Sequence, residues 1–219
     1  MTKIKIEKVI KTRDKIVLTA LSLFNEKGER NVTTNHIAAT LGISPGNLYY
    51  HFNNKEAIIR EIFEGYSKEL LEDITPVDFN EDTLVLLQRY LDSLFTLMWK
   101  YRFFYANLPQ ILQRDSVLHE KYLVVQKQSQ LNLTIIFRSF IELKLLDISE
   151  SDIKPLLTSF HLIIFSWLSY QLSMSLNSEI TEKVIYRGVL QMIAVIKPYT
   201  TKLGKQQLLL LESSINSLS

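Results

Sequence analysis

The chain has 219 residues, of which 47% are hydrophobic and 22% charged, so it carries enough apolar material for a packed core and is no disordered tail. It contains no cysteine, which excludes disulfides, thiolate metal sites and thiol nucleophiles together and suits a reducing cytosol. Formal net charge is only +2, yet residues 1–56 hold nine Lys/Arg against five Asp/Glu, and the remainder is slightly acidic.

The first fifteen residues, MTKIKIEKVIKTRDK, carry six basic and two acidic side chains. They lack the apolar core and small-residue cleavage site of a signal peptide, and the chain is expected to be cytoplasmic. A basic arm suits phosphate attraction and counterion release, although a solvated terminus has the same composition. Residues 11–27 form the first expected helix, with Ile16, Val17, Ala20, Leu21, Leu23 and Phe24 on one broad stripe and Gly28 as its end.

Residues 33–56, TTNHIAATLGISPGNLYYHFNNKE, carry the sharpest local signals. Thr33 or Thr34 can cap a helix that runs through Leu41, by accepting a bond from an otherwise unpaired N–H. Gly42 supplies a left-handed exit, and Ser44 followed by Pro45 opens a second helix at once. Two short helices joined by a tight Gly turn make a helix-turn-helix. In the second helix Ile43, Leu48 and Phe52 are the apolar anchors, so Pro45, Gly46, Asn47, Tyr49, Tyr50 and His51 point mainly outward. Asn47 suits the N6 and N7 edge of adenine, whereas Tyr49, His51 and Lys55 suit phosphate oxygens. Gly46 lets a backbone approach closely. Asn53 to Glu56 reads as a capping box for a further helix, which runs to about Leu71.

The run T-T-x-x-I-A-x-x-L-G-I-S-x-G-x-L-Y-x-H-F-x-x-K-E resembles the DNA-binding domain of the tetracycline-repressor (TetR) family, tightly over about residues 10–60 and beyond that only in length and helical layout. The resemblance implies a homodimeric one-component regulator whose second domain binds a small molecule. It also implies DNA contacts at Thr34, Asn35, Ser44, Pro45, Gly46, Asn47, Tyr49, Tyr50, His51 and Lys55. The base readers at 35 and 45–47 vary within the family, so the operator sequence does not carry over.

The expected fold is all-α. A basic arm and helix-turn-helix head (1–56) are joined through a connecting helix to a larger helical bundle for ligand binding and dimerisation (57–219). The segment 73–80, with Pro76, is the clearest break. Asn80 then caps a helix whose apolar face is Leu84, Leu87, Leu91, Leu94, Phe95, Met98 and Trp99. The aromatic-rich run 99–109 is expected to end its helix at Pro109, and a long helix follows over about 116–145. Residues 155–178 carry no charge, but their many Ser, Thr and Gln make them too polar for a membrane span. A helix buried on two sides fits better, with Ser166, Ser169 and Ser173 as a flat stripe against a second chain. The next helix, about 179–197, would complete that interface through Tyr186, Val189 and Ile193. The tail from Leu203 to Leu218 reads as one more amphipathic helix.

Trp99, Arg102, Phe103, Phe104, Phe137, Phe160, His161, Phe165, Trp167 and Tyr170 form an aromatic set that suits either an apolar ligand pocket or a filled core, and the family resemblance favours the pocket. His161 fits a ligand hydrogen bond or a satisfied core histidine; Arg102 fits a carboxylate anchor or a solvent-reaching side chain. The four histidines, at 36, 51, 119 and 161, lack metal-ligand spacing, and no hydrolase, P-loop or dinucleotide motif is present. No metal, cofactor or enzymatic activity is expected. The expected partners are double-stranded operator DNA, a small apolar or amphipathic effector and a second copy of the chain, with no membrane. The reading is a regulator, most simply a repressor, released from a palindromic operator by its effector. The alternative is a helical carrier or sensor of apolar molecules that does not bind DNA.

Overall fold

A computed structural model describes residues 11–75, 82–174 and 179–216. Among these, the long regular elements are ten α-helices: α1 Thr12–Lys27, α2 Thr34–Leu41, α3 Pro45–His51, α4 Lys55–Asp73, α5 Thr83–Lys100, α6 Arg102–Arg114, α7 Ser116–Glu142, α8 Glu150–Ser173, α9 Glu182–Ile196 and α10 Lys202–Asn216. The chain divides into two compact units, Met1–Gly65 and Tyr66–Ser219. The expected basic arm up to residue 10, the break at Pro76 and the last residues of the tail lie outside the described residues.

In the first unit each helix end has a local cause. Gly28 closes α1 by donating its N–H to the Phe24 carbonyl. Thr33, rather than Thr34, caps α2: its hydroxyl accepts from the His36 N–H at 3.2 Å, and its own N–H donates to His36 Nδ1 at 3.3 Å. Gly42 ends α2 at φ 68°, a left-handed conformation in which a side chain would be strained. Ser44 caps α3 through the Asn47 N–H, with Pro45 in the first turn. Asn54, one residue later than the expected Asn53, caps α4, because its Oδ1 accepts from the Ala57 N–H at 2.8 Å. The core of this unit is made by Ile16, Ala20, Leu21, Leu23 and Phe24 of α1 with Ile37, Ala38, Leu48 and Phe52, and by Ile58, Ile59, Ile62 and Phe63 of α4.

The second unit is a bundle in which α6 and α9 pack on α8, α5 on α9, and α7 on α6 and α8. Asp82, not Asn80, caps α5, accepting from the N–H groups of Leu84 and Val85 at 2.9 and 3.3 Å; Asn80 itself is outside the described residues. Pro109 does not stop a helix but sits inside α6. An interior proline removes one helical bond and costs about 3 kcal/mol. Burial of Phe103, Phe104, Tyr105, Leu108 and Ile111 on the same short helix offsets that cost. The break falls instead at Tyr101, whose φ of −112° and ψ of 29° leave the helical region. Pro198 does follow the end of α9, in a turn of 3₁₀ helix over Lys197–Tyr199. Among the described residues no helix is long and apolar enough to cross a membrane.

Candidate nucleic-acid interface and body cavity

The α2–α3 pair presents an inner and an outer side. Inside, Ile37, Ala38 and Leu48 are 1% exposed or less, and Phe52 follows α3 into the core. Outside, Asn35 on α2 and Ser44, Pro45, Gly46 and Asn47 at the start of α3 are exposed, and Tyr50 is 86% exposed. Gly46 has ordinary helical backbone, and a Cβ there would meet nothing closer than Ser44 Oγ at 3.9 Å. The missing side chain therefore serves no packing need within the protein. The Tyr49 hydroxyl pairs with Thr34 Oγ1 at 3.0 Å, tying α3 to α2 while half the ring stays in solvent. The His51 ring meets Tyr50 edge-on, with centroids 5.1 Å apart.

Two basic residues fix this pair in place. Arg13 of α1 donates to the His51 carbonyl at 3.0 Å and to the Glu61 carboxylate of α4 at 2.7 Å, with its guanidinium 4.2 Å over the Phe52 ring. One planar fork thus joins α1, the end of α3 and α4. Lys55 is turned inward: its ammonium donates to the Glu29 and Val32 carbonyls and pairs with the Glu29 carboxylate. Two of its donors are spent on backbone carbonyls and its charge is paired with Glu29, so the ammonium is directed into the head rather than toward a phosphate. Sequence reasoning passed over Arg13 and Glu29, because their partners lie 38 and 26 residues away along the chain.

The second unit holds a partly open cavity of about 210 Å³. The α5 stripe Leu87, Leu91 and Leu94 borders it, which explains why these leucines are only half-buried. From α4 come Tyr66, Leu70 and Ile74; from α9 come Met192, Ile193 and Ile196. Phe137, Phe160, His161 and Phe165 of the expected aromatic set line it. The other six lie elsewhere. Arg102 stacks on Trp99 at 4.1 Å and donates to its carbonyl, closing a pair of its own. Phe103 and Phe104 pack on each other in the α6 core, with ring centroids 4.7 Å apart. Trp167 donates to the Val184 carbonyl at 2.7 Å on the α9 side of α8, and Tyr170 is 53% exposed. Missed by sequence reasoning were the leucine walls and the polar trio Gln126, Ser129 and Gln130 of α7. Their helical spacing of three and four was the available signal.

Burial sets the protonation of the wall. Tyr66 and Tyr105 share a hydroxyl–hydroxyl bond of 3.2 Å, and burial pushes Tyr66 up to about 12 and Tyr105 well above the usual phenol value. Burial also pushes the His161 imidazole below its ordinary value, favouring the neutral ring.

On the α8 surface Ser166, Ser169 and Ser173 are exposed, together with Leu162, Tyr170 and Met174. On α9 the register differs from expectation. Val189 and Ile193 are 1% and 3% exposed and pack on Leu208 and Leu211, while Tyr186 stacks on Phe95 at 4.0 Å. The outward face of α9 is Lys183, Arg187, Gln191 and Ala194. Among the described residues no three His, Asp or Glu side chains group as a metal site.

A head that buries the scaffold of a helix-turn-helix and exposes the start of its second helix, followed by a helical unit with an apolar cavity, defines a class of one-component regulators. The chain matches the family model for bacterial regulatory proteins of the tetR family over residues 16–62 and that for a TetR bacterial transcriptional repressor over residues 65–208. It belongs to the TetR family of DNA-binding transcriptional regulators. A crystal structure of a TetR-family regulator from Marinobacter aquaeolei VT8 superposes with a TM-score of 0.84 at 35% identity, covering 94% of this chain and 99% of that one. The probable HTH-type transcriptional regulator YttP of Bacillus subtilis is 32% identical over 89 residues, 39% of this chain and 43% of that protein. The negative regulator IcaR of the biofilm operon icaADBC in Staphylococcus epidermidis is 42% identical over 52 residues, 24% of this chain and 28% of that protein. The match thus spans less than half the length of these two relatives.

Proposed function

We propose that the protein is a cytoplasmic, homodimeric repressor that grips a roughly palindromic operator with α3 and leaves it when a small apolar or amphipathic effector fills the cavity. The observation that carries the reading is the membership of α4: the helix that begins at Lys55, just after α3, supplies Tyr66, Leu70 and Ile74 to the cavity wall. A ligand there touches the same stiff rod that follows the recognition helix. It weakens DNA binding only through a difference in its affinity for the bound and released states. Asn47 is the reader best suited to a base edge, with Thr34, Asn35, Ser44, Pro45, Gly46, Tyr49, Tyr50 and His51 around it. Lys55 acts here by holding the head together. Two copies pair through the exposed uncharged face of α8, with Ser166, Ser169 and Ser173, and the outward face of α9, as in an isologous dimer.

The test is fluorescence anisotropy on DNA from immediately upstream of the protein's own gene, beside a scrambled fragment of equal length at two salt concentrations. A preference of about 10³-fold or more for the native fragment supports a specific regulator. No binding to either at low salt would transfer the cavity to a carrier of apolar molecules.

A further inference from the structure

An apolar or amphipathic effector still leaves three chemistries open: acids, cationic amphiphiles and neutral molecules. The cavity wall distinguishes them. Among the described residues no Asp, Glu, Lys or Arg lines it. His161 is held neutral by its burial, and Tyr66 and Tyr105 remain phenols far above neutral pH. A carboxylate or ammonium entering such a wall loses its hydration and meets no counter-charge, the costliest transfer a ligand can make.

The wall is nonetheless not wholly apolar. Gln126 and Ser129 stand one turn apart on α7, and Ser129 is only 8% exposed. Neither side chain forms a hydrogen bond to another described residue, nor does the His161 ring, which instead packs 4.5 Å from the Phe165 ring. A buried hydroxyl such as that of Ser129 is normally satisfied, and the half-buried Gln126 and His161 turn their polar atoms to the same space. Here α7 and α8 pack together with three unspent polar groups on the cavity wall. The lining also includes Leu145, Leu146, Leu208 and Leu211, while the Thr200 hydroxyl beside Leu146 is already spent on the Lys197 carbonyl. At about 210 Å³ the space exceeds the roughly 150 Å³ that admits benzene, and accommodates a ring or chain of somewhat greater size.

We propose that the cavity selects an uncharged ligand, with a compact apolar body and one hydroxyl or carbonyl head that hydrogen-bonds to Gln126, Ser129 and His161. This rests on the reading that the cavity is the effector site.

Isothermal titration calorimetry on the full chain at pH 7 tests it with four probes of one chain length: 1-octanol, 2-octanone, octanoate and octylammonium. The neutral pair should bind about tenfold or more tighter than either ion. Ser129→Ala should weaken 1-octanol by about fivefold, one hydrogen bond's worth, and leave thermal unfolding cooperative. Octanoate or octylammonium binding as tightly as 1-octanol overturns the proposal, and so does the absence of binding by both neutral probes. The effector reading fails separately: saturable octanol binding that leaves anisotropy on the operator unchanged keeps the ligand class and removes the regulatory role.

Discussion

Lys55 Nζ lies 2.8 Å from the Glu29 carboxylate, with the two side chains 18% and 1% exposed. Removing one partner of such a pair leaves the other charge buried and alone, which costs about 3–5 kcal/mol. Lys55→Ala should therefore lower the urea midpoint of the head sharply, and Glu29→Gln in the same chain should recover part of the loss. Where the variant remains folded, the salt dependence of DNA binding should match wild type. A slope lower by about one would return Lys55 to the phosphate contacts.

Asn47 has an exposed side chain in the first turn of α3 with no hydrogen bond to another described residue, while its backbone N–H donates to the Ser44 carbonyl and to Ser44 Oγ at 3.0 and 3.1 Å. Asn47→Ala should leave stability within about 0.5 kcal/mol. On the operator it should cost about 1–3 kcal/mol and relax the preference at one base pair. Competition binding against single-position operator variants reads this out. A loss spread evenly over all sequences would make Asn47 a backbone contact.

These two residues also show how far the sequence reaches. Thr33, Gly42 and Ser44 were legible because each acts within a few residues of itself, through an N–H or a left-handed bend. Asn53 and Asn54 offer the same local signal, and only where Phe52 sinks into the core decides between them. At Pro109 the local rule lost to packing, since α6 buries five large side chains around it. Aromatic composition pointed to a cavity but not to its walls: Arg102 and Trp99 satisfy each other, while leucines of α5 and isoleucines of α9 face the space. Val189 and Ile193 show the remaining ambiguity. An apolar stripe in one chain does not declare whether it meets its own core or a partner.

Gly204 opens α10 against the Leu145 carbonyl, where a Cβ would lie 2.0 Å from the oxygen. That oxygen already accepts from the Thr201 N–H at 3.0 Å, and both Leu145 and Gly204 line the cavity. Gly204→Ala must push α10 away from the α7–α8 connection. Overpacking of this kind costs about 1–3 kcal/mol. Thermal unfolding should shift down, with 1-octanol affinity falling in parallel; a variant as stable as wild type would show that α10 shifts freely.

His161 gives a pH dependence with a definite sign. Burial lowers its folded value below the ordinary 6.5, so the unfolded chain takes up the proton first as pH falls. The resulting stability is fully present above about pH 6.5 and is lost as pH drops from there through the depressed folded value. His161→Phe removes this contribution, so the difference in melting temperature between wild type and variant should narrow or reverse in favour of the variant from pH 7.5 to 5.5. A difference constant across that range would mean that the imidazole stays solvated in the folded state.

The pairing surface can be tested without touching the core. Ser169 is exposed on the same face of α8 as Leu162, Ser166 and Ser173, and its small side chain leaves room for a second helix. Ser169→Arg places a long cation where two copies of α8 would meet, and like charges facing across a two-fold axis repel. The expected result in analytical ultracentrifugation is a monomer with unchanged helicity. A monomer holds only one recognition helix, so its preference for the operator over scrambled DNA should fall by orders of magnitude while weak non-specific binding persists. A Ser169→Arg chain that sediments as a dimer would move the interface off α8.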